Sequence, residues 1–253
     1  MRLAIDIGAE ARERAITALD FSALGKDDYL NLILQRSEIM FDRPRHGRVI
    51  RAWNAGDMAP IEAVIADLGV ELARRAAGVI HAEYRALEPL LRELAPERVA
   101  DIGCGYALFD LFLARGLKSE LLLIDLEQNE HRHFGFSDEG AAYSSLKVAR
   151  RLLEDNGVPA AAITTLNPRD RIPETAGPVD LAVSFLSCGF HYPVDLYLPF
   201  LEQAVSARGA AIFDLRATTA PEQAAKLARL GSLTDLPAPP KCRRVLLRKG
   251  AGQ

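Results

Sequence analysis

Apolar residues in the first third of the chain recur three or four positions apart, the spacing that places them on one face of a helix. This spacing predicts helices over about residues 10–94. Pro60 fits a helix start, because its missing N–H costs nothing in a first turn. The stretch Asp42–Gly56 carries Pro, Gly and Asn without a sustained period, and predicts a loop between helices. The apolar positions concerned are Leu30, Ile33, Leu34, Ile61, Val64, Ile65, Leu68, Leu72, Tyr84, Leu87, Leu91 and Leu94.

From Arg98 onward, short apolar runs alternate with helical stretches, a pattern typical of βαβ units and a mostly parallel sheet. We therefore expect an N-terminal helical unit, residues 1–94, that caps the substrate pocket, followed by an α/β domain, residues 95–253. Helices are predicted at about Ala107–Arg115, Ala141–Asn156, Val194–Ala207 and Pro221–Leu230, several of them ended by a glycine such as Gly116 or Gly157. The predicted strands are Val99–Ile102, Leu121–Asp125, Ala162–Leu166, Val179–Phe185, Ala210–Leu215 and Val245–Lys249.

Two features of this pattern depart from an even βαβ alternation. Only about a dozen residues separate the third and fourth strands. Of the antiparallel hairpin that would close the sheet, only one strand is evident, because the Pro237–Pro240 stretch cannot be a central strand. The sixth strand is therefore expected to be short or absent.

The amino-acid composition limits the kinds of molecule that this chain is expected to bind. The 253 residues carry a net charge of -3, and 49% are hydrophobic. Such a chain lacks the broad cationic surface of a long nucleic-acid footprint, so a small molecule is the expected partner. Three cysteines outside any metal-ligand spacing suit a reducing compartment, and no secretory or membrane-spanning segment is evident. We expect a cytoplasmic protein, of unspecified oligomeric state.

The most informative segment is Val99–Tyr106, a strand that runs into Asp101, Gly103, Cys104 and Gly105 and then into a helix. Glycines let the backbone turn sharply and approach a ligand, while the N–H groups at the start of the following helix lack partners. Such a turn binds a carboxylate or a phosphate.

The end of the second strand favours a nucleoside over a dinucleotide at this turn. Asp125 follows Gly105 by 20 residues, where a carboxylate can accept both ribose hydroxyls, and Leu126 comes next. A dinucleotide fingerprint needs a third Gly or Ala where this chain has Leu108. NAD therefore fits poorly.

In order and spacing these residues resemble the motifs of class I S-adenosylmethionine (SAM)-dependent methyltransferases, over about Arg98 to Lys249. The resemblance implies a Rossmann-like methyltransferase fold, a mostly parallel sheet with helices on both faces. It also implies that the glycine loop lies against the methionine part of SAM, that Asp101 orients its amino group and that Asp125 holds the ribose. Leu166 and Asn167 would lie near adenine and Phe185 near the methyl group, although Asn167 before Pro168 is also an ordinary turn starter.

The segment after the fourth strand supplies the candidate catalytic residues. Methyl transfer requires in-line alignment and exclusion of water, and a hydroxyl acceptor also benefits from a base. His191 is the candidate base and Tyr192 its neighbour; alternatively, both pack or cap the helix that follows Pro193. The short His-Tyr-Pro segment resembles sugar O-methyltransferases and favours a hydroxyl acceptor.

Several further residues carry weaker hypotheses. Arg45, Arg48 and Arg51 either clamp an anionic substrate group or belong to a solvated loop. The segment Glu130–Phe136 is a candidate lid, and its two histidines, His131 and His133, lack a convincing third metal ligand, so no metal is expected.

A second Asp-x-Gly sequence near the start of the chain, around Asp6, is interpreted as a helix start or as part of a terminal extension. It lacks the second glycine of the motif.

The sequence thus predicts a SAM-dependent methyltransferase that acts on a small molecule, at a hydroxyl oxygen. The alternative from a different functional class is a scaffold protein that binds SAM or a nucleoside without catalysing a reaction. A nucleotide-cofactor oxidoreductase is the less favoured enzyme, because of Leu108.

Overall fold

Helices fill the first third of the chain, as the helical spacing predicts. The computed structural model describes residues 4–126 and 144–250. Within its first 94 residues a 3₁₀ turn, Ser37–Met40, follows the third helix. The α-helices there are α1 (Ile7–Glu10), α2 (Arg14–Thr17), α3 (Lys26–Gln35), α4 (His46–Asn54), α5 (Ala59–Leu68) and α6 (Val70–Leu94).

Local signals explain the starts of two of these helices, whereas a third helix, α4, was not predicted. Asp6 caps α1 by accepting a hydrogen bond from the Ala9 N–H at 2.9 Å, and Pro60 lies in the first turn of α5, both as predicted. The loop predicted over Asp42–Gly56 is wrong, because α4 lies inside it. Val49, Ile50 and Trp53 do have helical spacing, and they contact the core. The helix was concealed by its shortness and by flanking Pro and Gly.

The remaining described residues form a seven-stranded sheet that confirms the predicted α/β fold. The strands are β1 (Arg98–Ile102), β2 (Glu120–Ile124), β3 (Ile163–Leu166), β4 (Val179–Ser184), β5 (Val205–Arg216), β6 (Gly231–Leu236) and β7 (Cys242–Lys249). Their order in the sheet is β3-β2-β1-β4-β5-β7-β6. Strands β1 to β5 are parallel, whereas β7 is antiparallel to both β5 and β6.

Four α-helices follow among the residues described after β1, with 3₁₀ turns at Ala160–Ala162, Pro173–Ala176 and Val194–Tyr197. The turn at Pro173–Ala176 occupies the short connection between β3 and β4, where a full helix does not fit. The α-helices are α7 (Leu108–Leu117), α8 (Leu146–Asp155), α9 (Leu198–Gln203) and α10 (Ala220–Leu227).

Three local predictions for this half of the chain are wrong. The sixth strand is present, and β6 pairs with β7 over six residues from Gly231 to Leu236. The helix predicted over Val194–Ala207 is a 3₁₀ turn followed by α9, because β5 already begins at Val205. Gly116 lies inside α7 rather than ending it: a Cβ there would be 2.1 Å from the Tyr84 hydroxyl, so this glycine lets α6 and α7 pack closely. Gly157 does follow the end of α8, with φ +87°.

Alternation along the strands divides the core between the two faces of the sheet. Val99 and Leu121 point to the face covered by α6, α7 and α8, while Ala100 and Leu122 point to the face covered by α9 and α10. The N-terminal helices share the first of these clusters with the sheet, so they and the sheet bury one continuous core. No helix in residues 4–126 and 144–250 is long and apolar enough to cross a membrane.

Candidate active site

The carboxyl ends of β1, β2 and β4 meet at a cleft that the N-terminal helices cover on one side. The cleft has about 1070 Å³ of empty space, part of it open to solvent. Its position agrees with the rule that ligands of open α/β sheets bind beyond the strand ends. The lining residues from α3 and α6 are Leu34, Gln35, Arg36, Ile80 and Glu83; those from the sheet side include Asp101, Gly103, Cys104, Gly105, Asp125, Leu126, Phe185, His191 and Tyr192.

The glycine loop between β1 and α7 has the backbone that the sequence predicts. Gly103 and Gly105 have φ values of +75° and +58°, in the left-handed region that favours glycine. A Cβ at Gly103 would lie 1.8 Å from Ser187 Oγ, so the glycine loop and the loop after β4 touch at this point. A Cβ at Gly105 would lie 3.3 Å from the side-chain oxygen of Gln35.

Asp125 holds the glycine loop from the end of β2. Its Oδ2 accepts a hydrogen bond from the Gly105 N–H at 2.7 Å, and the carbonyl of Ile124 accepts one from the Gly103 N–H at 2.7 Å. The side chain is largely buried yet lines the cleft. A carboxylate fixed in this way presents an acceptor to a ligand without having to be ordered on binding.

Asp101, the last residue but one of β1, lies beside a second buried carboxyl group, Asp110, which was not predicted from the sequence. Burial, and then the nearby Asp110 charge, raise the pKa of Asp101 well above its ordinary value. Burial likewise raises the pKa of Asp110. The available signal was a lone Asp inside the apolar run from Leu108 to Phe112.

The loop after β4 is built on a buried serine. Ser184 Oγ donates to the Ile102 carbonyl at 2.8 Å and accepts from the Cys188 N–H at 2.9 Å, which ties this loop to β1. Leu186 adopts a left-handed φ of +50° at the turn. The loop thereby brings His191 and Tyr192 to the cleft.

Tyr192 and His191 differ in their surroundings. Tyr192 is buried, its hydroxyl lies 3.3 Å from Ser187 Oγ, and burial raises its pKa well above the ordinary value. It therefore stays protonated near neutral pH and is suited to donate a hydrogen bond rather than to accept a proton. His191 is half-buried and lines the cleft.

Leu166 and Asn167, the residues predicted near adenine, do not line the cleft. Leu166 is buried among the apolar residues of the α9 and α10 face, and its carbonyl accepts a hydrogen bond from the Asp125 N–H at 3.2 Å. Asn167 Oδ1 accepts from the Arg169 N–H at 3.0 Å, the local bond of a turn starter. Both lie at the strand end next to Asp125.

Arg45, Arg48 and Arg51 also lie outside the cleft lining, exposed at and along α4. The arginine that does reach the cleft is Arg36, after α3. Its Nη1 donates to Glu83 at 2.9 Å. No sequence spacing pointed to this pair, because its members come from different helices.

The pair continues into the sheet as a buried network of charges. Arg244 of β7 donates to Glu83 at 3.3 Å and to Asp214 at 2.7 Å. Asp214 and Arg244 are register partners on β5 and β7. Two arginines and two carboxylates balance, so no charge of this buried network lies without an opposite charge beside it.

The segment Glu130–Phe136, with His131 and His133, lies outside the described residues. Within residues 4–126 and 144–250, no three His, Cys, Asp or Glu side chains are grouped so that they could hold a metal ion.

A scan against protein-family models finds no matching model, and a search of curated proteins finds no matching sequence. The fold is similar to solved structures at low sequence identity. A methyltransferase from Geobacter sulfurreducens is 18% identical, with a TM-score of 0.47 over 66% of this chain and 78% of that one. The O-methyltransferase TomG from Streptomyces achromogenes, in complex with SAM, is 16% identical, with a TM-score of 0.47 over 66% and 80%.

An O-methyltransferase family protein from Burkholderia thailandensis is 12% identical, with a TM-score of 0.45 over 71% of this chain. The match spans 61% of that protein and 59% of a further similar protein from Nostoc punctiforme, less than two thirds of either.

Proposed function

We propose that this chain is a SAM-dependent methyltransferase that acts on a small molecule at a hydroxyl oxygen. The observation that carries the proposal is the junction of the glycine loop with Asp125, whose carboxylate is fixed by the Gly105 N–H at the edge of the cleft. One oxygen of this carboxylate holds the loop, and the group still faces the cleft, where it can accept the ribose hydroxyls of a nucleoside.

The other residues around the cleft fit the rest of SAM. Asp101 lines the cleft with a buried oxygen, Oδ1, that accepts no hydrogen bond from a described N–H or hydroxyl group, and a cationic amino group would satisfy it. The glycine loop lets the methionine part approach the backbone. When bound, SAM supplies an electrophilic methyl group, and the protein's part is to align the acceptor and to exclude water.

In this proposal the loop after β4 faces the acceptor. His191 takes the proton from the acceptor hydroxyl as the oxygen attacks, and Tyr192, whose pKa is raised by burial, shares a hydrogen bond with Ser187 in the same loop. The apolar and aromatic residues Leu34, Ile80, Phe109 and Phe185 keep this side of the cleft poor in water.

The cofactor part of the proposal is tested by calorimetry with S-adenosylhomocysteine (SAH) and with NAD. We expect SAH to bind and NAD not to bind. Asp125→Asn should weaken SAH binding by about 1–3 kcal/mol, since the amide oxygen can keep the Gly105 bond while the charge facing the ribose is lost. Asp170→Asn, on the exposed surface, is the matched control. Tight NAD binding or an unchanged SAH affinity in Asp125→Asn would contradict this placement.

Transfer of a labelled methyl group from SAM into a small-molecule extract separates an enzyme from a noncatalytic SAM-binding scaffold. The enzyme should label a small molecule in an amount that grows with time. A scaffold would bind SAH with the same affinity and label nothing.

A further inference from the structure

Two fully buried carboxyl groups lie side by side under the glycine loop. Asp101 is the last residue but one of β1 and is 4% exposed, and Asp110 lies in the first turn of α7 and is 0% exposed. The two groups interact with each other directly. Only Asp101 also lines the cleft.

Donors are scarce around these carboxyl groups: burial raises the pKa of Asp110 more than the hydrogen bond from its own backbone N–H lowers it. No other described residue donates a hydrogen bond to Asp101 Oδ1 or to either oxygen of Asp110. An ionised carboxylate can only accept, so a hydrogen bond between the two groups requires a proton on one of them.

The surroundings add to the cost of ionising both groups. The charged neighbours that act most on Asp101 are Asp110 and Asp125, both acidic, and the Cys104 thiol beside them has its pKa raised by burial and stays neutral. Arg36, which lines the cleft farther along, is already paired with Glu83. The other titratable side chains that line the cleft are Tyr106, His191, Tyr192 and Tyr197.

We propose that Asp101 and Asp110 share one proton in the free protein, and that an ammonium group binding at Asp101 expels this proton to solvent. The inference rests on the proposed function, because SAM and SAH carry such an amino group. No covalent bond between heavy atoms changes: the pair goes from one negative charge to two as the cation arrives. Asp110 acts through Asp101 and does not itself touch the ligand.

The sign of the pH dependence follows from this exchange. Binding that releases a proton is favoured by fewer protons in solution, so SAH affinity rises with pH while the free pair still holds its proton. For one proton the increase approaches about tenfold per pH unit. It ends above the pH at which the free pair has lost the proton.

Calorimetry of SAH binding at pH 7 in two buffers of different ionisation enthalpy counts the protons released. We expect about one proton per SAH bound to the wild-type protein. In Asp110→Asn the amide donates a hydrogen bond to Asp101, which is then ionised in the free protein, so the release should fall close to zero and the affinity should lose its rise with pH. Asp170→Asn should behave as the wild type.

Each outcome bears on one proposal at a time. SAH binding with no proton release in the wild type overturns the shared proton and leaves the cofactor assignment intact. Absence of SAH binding overturns the cofactor assignment; the shared proton is then decided by infrared spectroscopy of the free protein. The band of a protonated carboxylic acid at pH 7, lost in Asp110→Asn, supports the pair, and its absence from the wild type overturns it.

Discussion

At Gly103 the missing side chain lets two loops meet. The glycine has φ +75°, and the place where a Cβ would stand is taken by Ser187. The contact joins the glycine loop to the loop that carries His191 and Tyr192. The proposed cofactor side and the proposed acceptor side of the cleft are therefore held together at one residue.

Gly103→Ala should reduce SAH affinity by at least about tenfold, because either Ser187 or the glycine loop has to move. Gly157→Ala is the matched control: it has a similar φ of +87°, but a Cβ there meets no atom within 4 Å. Both variants carry the strain of a left-handed alanine, about 1–2 kcal/mol, so both should lose stability. Only Gly103→Ala should lose SAH affinity in calorimetry, and equal affinities in the two folded variants would contradict the contact.

His191→Ala should reduce methyl transfer by about 10²–10⁴-fold if His191 takes the acceptor proton, with little change in SAH affinity. The measurement is the initial rate of methyl transfer, across pH, to the small molecule labelled from SAM. Tyr192→Phe, which keeps the ring and removes the hydroxyl, tests the neighbouring residue separately. A folded His191→Ala protein with a near-normal rate would leave His191 a packing or capping role.

Among individual residues, the sequence best predicted the positions of those that lie next to strand ends. Asp101, Gly103, Gly105 and Asp125 line the cleft because the ends of parallel strands share one edge of the sheet, and their part in cofactor binding stays a prediction. Asp110 was missed, since its role depends on burial beside Asp101 and not on spacing. The orientation of Asn167 follows from a local turn bond, which competes with any ligand for its side chain.

Among the elements, α6 is joined to the end of α3 and to β7 by one carboxylate. Glu83 accepts hydrogen bonds from Arg36 and from Arg244, and all three side chains are buried. The attraction of the two arginines outweighs burial and keeps the pKa of Glu83 below its ordinary value. Glu83 therefore stays ionised in the folded protein, and its contribution is present at neutral pH and lost as the pH falls through its lowered pKa.

Glu83→Gln should lower the free energy of unfolding by about 3–5 kcal/mol, because it leaves two buried guanidinium groups without their shared charge. Glu88→Gln is a control in the same helix: it removes one surface pair, with Arg92 at 2.6 Å, and should cost less than about 1 kcal/mol. Urea unfolding at pH 7 measures both. Similar losses in the two variants would show that the buried network contributes no more than a surface pair.

The elements that the sequence missed are those whose signals are weak or non-local. Helix α4 is nine residues long with one buried side chain, Ile50. Strand β6 has no buried residue and is separated from β7 by the proline-rich stretch, so its own sequence gives little sign of a strand. It is recognised by its pairing with β7. The end of α9 is set by the early start of β5, which no local pattern marks.

Across the whole molecule, the N-terminal helices and the sheet are joined by more than apolar packing. The Tyr106 hydroxyl, directly after the glycine loop, donates to Asp28 at 2.7 Å and accepts from Asn31 at 2.9 Å, and both partners lie on α3. The shared core and these bonds connect residues 1–94 to residues 95–253. We therefore expect this division of the sequence to mark two regions of one cooperative unit.

Trp53, the one tryptophan of the chain, lies on α4 and packs against the core, so its fluorescence reports on the N-terminal helices. Far-ultraviolet circular dichroism reports on all the helices and strands. In a two-state unit the thermal transitions seen by the two probes coincide. Because ligand binding stabilises the whole cooperative unit, SAH at about 100 times its dissociation constant should add about 2.7 kcal/mol and raise both midpoints equally. A tryptophan transition that precedes the dichroism transition, or that SAH leaves in place, would instead make the helical region a separately folding domain.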